Sequence, residues 1–138
     1  MTAQEITDRD AAVLESARAA KLVAVQTEAA ARIAAGFSYR VDAGPLHTYQ
    51  IDDTSQGHML AVFVEHVDGG LDPHGGYWRD ASNVNVAMTD AQNKAFLLAA
   101  KAYKMGIIRR SQALADLVLG AADQTALDAI DTSAGWPA

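Results

Sequence analysis

One stretch restricts the fold more than any other: Gly75 to Leu98 specifies a hairpin that runs directly into a helix. Tyr77 and Trp78 have the aromatic character of a strand. Val84, Val86 and Met88 alternate with Asn83, Asn85 and Ala87 at the period of a second one. Between them Asp80-Ala-Ser-Asn consists largely of residues that hydrogen-bond their own backbone in turns. Thr89 then supplies a capping oxygen, and Gln92 completes a capping box. The helix beyond reaches about Leu119, with Phe96, Ala99, Tyr103, Ile107, Leu114 and Val118 as its buried stripe. Trp78 is expected to pack on Phe96, Tyr103 and Ile107, because a hairpin leading straight into a helix puts them on one side. Lys94, Lys101, Lys104 and Arg109 fall off that stripe, and Gly106 costs about 1 kcal/mol relative to Ala.

Upstream, residues 3–35 read as one long helix. Thr2-Ala-Gln-Glu5 is a capping box, and Gly36 has the place of a C′ glycine. Its clearest stripe is Ala11, Leu14, Arg18, Leu22, Val25, Ala29 and Ile33, spaced by 3, 4, 4, 3, 4 and 4 residues. The stripe is thin, and a helix of this kind is marginal alone. Three readings stand open: a lead-in helix packed partly on the domain, a self-association stem, or a segment ordered by a partner. Arg18 inside a seam needs Glu15 or a neighbouring chain's carboxylate.

Phe37 to Asp42 and Leu46 to Ile51 flank Ala-Gly-Pro and make a first hairpin, each strand with one half-exposed face. Asp53-Thr-Ser-Gln56 opens a helix to about Val67, with Met59, Leu60, Phe63, Val64 and Val67 on one face. Leu71-Asp-Pro-His-Gly-Gly is a loop. A short helix covers 125–130, and Trp136 has too much apolar area to stay free. The fold class is therefore α+β: a long N-terminal helix, then a small, mostly antiparallel sheet of two hairpins packed with helices. The expected division is 1–35, for oligomerisation or attachment, and 36–138, a globular domain. Phe96, Tyr103, Trp78 and Trp136 form the structural core.

At 138 residues the chain buries roughly two-thirds of its unfolded surface, enough for one core. A net charge of −6 argues against nucleic acid. Lys101, Lys104, Arg109 and Arg110 are the one basic concentration and read as a solvated helix face. Cysteine is absent, so thiol chemistry is excluded. No apolar run approaches the ~20 residues that span a bilayer, and the opening residues lack a signal pattern, so a cytoplasmic product is expected.

The histidines, His47, His58, His66 and His74, form no metal-binding pair, and Asp68, Asp72 and Asp80 do not follow the calcium-loop pattern. No phosphate loop or nucleophile elbow appears. The expectation is a protein with no metal, no cofactor and no enzymatic activity.

Four blocks carry a resemblance: Arg32-Ile-Ala-Ala-Gly-Phe-Ser-Tyr, Tyr49-Gln-Ile-Asp, Gly76-Tyr-Trp-Arg-Asp-Ala-Ser-Asn-Val-Asn-Val-Ala-Met-Thr, and Leu127-Asp-Ala-Ile-Asp with Gly135-Trp-Pro. Over roughly residues 28–137 the chain resembles an uncharacterised domain of tailed bacteriophages and prophages, found in tail-fibre, baseplate and fibre-assembly proteins. The resemblance implies a structural tail protein of the virion, made in the host cytoplasm and attached to other tail proteins. The alternative is a fibre-assembly chaperone that leaves before the virion matures; a third class, an enzyme acting on cell-surface glycan, would need a carboxylate-lined groove. It brings no catalytic motif. Among tail-fibre proteins the usual oligomer is a trimer, which makes Leu14, Arg18, Leu22, Val25 and Ile33 the expected interface.

Overall fold

The computed structural model describes residues 1–67 and 76–138, and the side chains of all of these but 65–67. The expected glycine loop, with Asp68, Asp72 and His74, lies outside the described residues, as does the side chain of His66. The element order is α1 (Ala3–Ala35), β1 (Phe37–Arg40), β2 (Leu46–Tyr49), α2 (Asp53–Val67), β3 (Tyr77–Arg79), β4 (Asn85–Ala87), α3 (Asp90–Gly120) and α4 (Gln124–Asp128). This is the α+β architecture expected, with one difference. The hairpins make two separate two-stranded antiparallel sheets. The turn of the second reaches the first, where the Ala81 N–H donates to Thr48 O at 2.8 Å.

Local chemistry fixes the helix ends. The Glu5 N–H donates to Thr2 Oγ1 while the Thr2 N–H donates back to the Glu5 carboxylate. Thr89 and Gln92 close the same reciprocal box at α3. Gly36 ends α1 at φ 85°, and a Cβ there would lie 2.6 Å from Tyr49 O. The cap of α2 falls one residue earlier than expected: Asp52 Oδ1 accepts from the Ser55 N–H. Asp53 is thereby freed to take the Lys104 ammonium.

The chain divides into two compact units, and both long helices run through the division. One unit joins residues 1–30 to 107–138. Its core is aliphatic: Val118, Ala121 and Leu127 are buried, with Leu14, Ala17, Leu22 and Ile130 packed against them. The Arg110 Nε–H donates to Ala134 O, and its guanidinium occupies the space beside Gly135, which sits at φ 78°. The Trp136 Nε1–H donates to Thr132 O at 2.9 Å, leaving the ring half-buried.

The second unit, residues 31–106, is aromatic at its centre. Phe96 is fully buried, with ring centroids 4.5 Å from Tyr49, 5.4 Å from Tyr39, 5.7 Å from Trp78 and 6.3 Å from Phe37. Tyr103 joins through Phe37 at 5.1 Å. Aromatic rings carry large apolar area, and Ile51, Met59, Met88 and Leu97 are buried in the same unit.

Two expectations need correcting. Leu60 and Val64 are exposed, because α2 turns Met59 inward and leaves them on the outer side. Lys104 is not solvated: it is 8% exposed and holds Asp53 at 3.0 Å. A lysine stem packs well along apolar surface while its ammonium finds a carboxylate, which periodicity alone does not reveal.

Candidate functional site

The residues expected to form an intermolecular stripe are largely engaged within their own chain. Leu14 and Leu22 pack on the aliphatic cluster, and Val25 is buried. The Arg18 guanidinium donates to Ala121 O and lies 3.6 Å from Glu15, one of the partners its charge was expected to need. Lys21 donates to Leu127 O. Ile33 is half-buried in the other unit. The large apolar side chains that α1 leaves exposed are instead Ile6, Val13 and Val23.

The expected core residues divide by depth. Phe96 is buried, whereas Trp78, Tyr103 and Trp136 are half-buried. Of the expected basic face, Lys101 and Arg109 are exposed, while Lys104 and Arg110 are spent on Asp53 and the C-terminal turn.

The most developed polar constellation surrounds Asp80, at the start of the β3–β4 turn. Its Oδ1 accepts from the Ser82 and Val84 N–H groups, both at 2.8 Å. Its Oδ2 accepts from His47 Nδ1 at 2.8 Å. These donors hold the Asp80 carboxyl below the usual carboxylate range, the His47 hydrogen bond most strongly. Asn83 completes the turn in the left-handed region, at φ 63°. In the first hairpin, burial pushes the Tyr49 phenol up to about 12, with the charge of Asp80 adding to the effect. Among the described residues the Tyr49 hydroxyl has no hydrogen-bond partner, nor do the amide atoms of Asn93.

A cavity of about 220 Å³ opens beside this turn. It is lined by Trp78, Arg79, Asp80 and Asn83 from the second hairpin, Ser55 and His58 from α2, and Gln50 after β2. The His47–Asp80 pair has the orientation of a base and its orienting acid. Yet among the described residues no nucleophilic hydroxyl hydrogen-bonds to His47, and one Asp80 oxygen is given to two turn donors. The arrangement suits holding a turn and lining a cavity. Among the described residues, no group of His, Asp and Glu side chains is gathered to hold a metal ion.

Sequence spacing could not have found the His47–Asp80 or Lys104–Asp53 pairs, which join positions 33 and 51 residues apart. Asn93 did carry a signal, since it lies one turn before Phe96 on an otherwise apolar stripe.

No curated protein and no solved structure matches the chain. A family model does match, over residues 16–134, and its description is a domain of unknown function, DUF4376. That match takes in most of both compact units, and the chain accordingly belongs to the DUF4376 family.

Proposed function

We propose that this chain is a non-enzymatic structural protein of a bacteriophage tail, associated with fibre or baseplate and working by attachment to other tail proteins. The observation that carries this reading is the use made of the residues in the phage-like blocks. Asp80 and Asn83 build a turn, Thr89 caps a helix, and Trp136 closes the C-terminal turn by donating to Thr132 O. Such residues specify a shape that others recognise, and none is left poised for a reaction. Mass spectrometry of virions purified from the encoding phage tests the proposal. The protein is expected at a fixed copy number. Its absence from virions, with fibres failing to assemble when the gene is deleted, assigns it instead to assembly as a chaperone.

Self-association, with a trimer as the expected state, belongs to the same proposal. It has to use the surface that the chain leaves open on α1, namely Ile6, Val13 and Val23. Sedimentation of the full chain against a Val13→Asp, Val23→Asp variant checks this: a trimer reduced to monomer supports it. A monomer in both cases, at tens of micromolar, removes self-association and leaves α1 to a different tail protein.

A further inference from the structure

The cavity beside the Asp80 turn has a chemical character of its own. Its acidic group is already occupied, because Asp80 spends both oxygens on Ser82, Val84 and His47. What the cavity offers a ligand is the indole of Trp78, the amides of Gln50 and Asn83, and the imidazole of His58. Among the described residues these two amides and this imidazole form no hydrogen bond within the chain, and all three residues are exposed. Arg79 contributes a cation whose Nε–H is committed to Asn85 Oδ1 at 3.2 Å.

Charge narrows the class of ligand. The Asp80 carboxylate is a fixed anion at the cavity, and Asp52 lies within electrostatic reach of His58. Against Arg79 these oppose an anionic ligand, while Arg79 itself opposes a cation. A neutral ligand suffers neither penalty. Size narrows it further, since 220 Å³ equals about seven water volumes at ~30 Å³ each. That is room for one substituted six-membered ring, and well below the ~300–1,000 Å³ of sites for drug-sized ligands.

Amide and imidazole groups offer polar hydrogen-bonding atoms, which match the hydroxyls of a sugar. An indole edge or face supplies apolar area for the C–H side of a ring. From this combination we propose that the cavity binds a single neutral pyranose, with Trp78 packing on the ring and Gln50, Asn83 and His58 hydrogen-bonding its hydroxyls. This site is independent of the tail reading: it needs only the second unit's own residues.

The test is a proton–nitrogen NMR titration of the full chain with methyl glycosides of glucose, galactose, mannose and N-acetylglucosamine. Free reducing sugars form a parallel arm, and N-acetylneuraminic acid is the anionic control. Saturable shifts are expected for the Trp78 indole and the Asn83 backbone with at least one neutral sugar. Equal affinity for the glycoside and the reducing sugar is compatible with the end of a glycan chain, and preference for the reducing sugar points to a free monosaccharide. A triple variant, Gln50→Ala, His58→Ala, Asn83→Gly, changes only exposed side chains and keeps a residue suited to positive φ. It should weaken binding about tenfold or more, as the loss of hydrogen bonds worth ~1 kcal/mol each implies, with an unchanged melting temperature. Absence of saturable shifts with every neutral sugar, tighter binding of the anion, or unchanged affinity in the triple variant overturns the proposal.

Discussion

The two hairpins of the second unit are built on opposite principles. The first pairs Phe37 with Tyr49 and Arg40 with Leu46, and its stability lies in what its strands bury: Tyr49 is fully buried and Phe37 nearly so. Its turn is held by separate single bonds: the Gly44 N–H donates to Val41 O, Arg40 Nη1 donates to Gly44 O, and Gln92 Nε2 donates to Asp42 Oδ2. The second hairpin pairs only three residues on each strand, and none of the six is buried. Its order lies in the turn, where one carboxylate takes two backbone donors and a histidine. A short strand pair can thus be set either by long-range packing or by local hydrogen bonding. The two should fail under different insults.

Phe96→Ala offers the sharpest break in this comparison. It removes the ring that Tyr49, Tyr39, Phe37 and Trp78 surround, and should cost about 3–5 kcal/mol in denaturant unfolding. Hydrogen exchange in the variant should accelerate at Tyr49 more than at Val84. Equal acceleration at both would mean that the second hairpin also depends on the aromatic core. Asn83→Ala attacks the other side. Placing a Cβ-bearing residue without a side-chain amide at φ 63° should cost about 1–2 kcal/mol, and Asn83→Gly much less. If Ala and Gly behave alike, the turn is not what sets that hairpin.

Acid and base should separate the hairpins as well. The Asp80 carboxyl is depressed in the fold, so its contribution is complete above about pH 4 and is lost as the pH falls further. Asp80→Asn should flatten that acid-side loss, with the part due to Asp52 and Asp131 remaining. The Tyr49 phenol is raised to about 12, so its contribution is complete below about pH 10 and is lost between there and about 12. Tyr49→Phe should flatten the alkaline loss. At neutral pH it should leave the melting temperature level or slightly higher, because the buried hydroxyl it deletes has no partner among the described residues. A matched response of both hairpins to acid would erase the distinction.

How much of this was readable in the sequence follows the same divide. Features set by neighbours along the chain were legible: both capping boxes, the Gly36 terminus, the Asp80 turn, and the bounds of α1. Features set by contacts between distant positions were not. Leu60 and Val64 share a helical face with Met59 on paper, yet which arc of α2 turns inward depends on its neighbours in space. Arg18 was expected to need a carboxylate, and the sequence singled out nothing at Lys21; both instead donate to distant carbonyls, those of Ala121 and Leu127. The cavity draws its lining from α2, the second hairpin and the residue after β2, so no single segment advertised it.

Those two cationic side chains of α1 carry a consequence for how the protein is made. Their acceptors lie 103 and 106 residues downstream, and the cluster that shelters Leu14 and Leu22 begins only at Val118. At about 5–20 residues per second, a ribosome needs roughly 5–20 s to supply those partners. For that interval the first helix emerges with its leucines in water and is a ready client for any factor that shields nascent apolar segments. A premature stop codon ahead of Ala121 would therefore do its damage at the opposite end of the polypeptide.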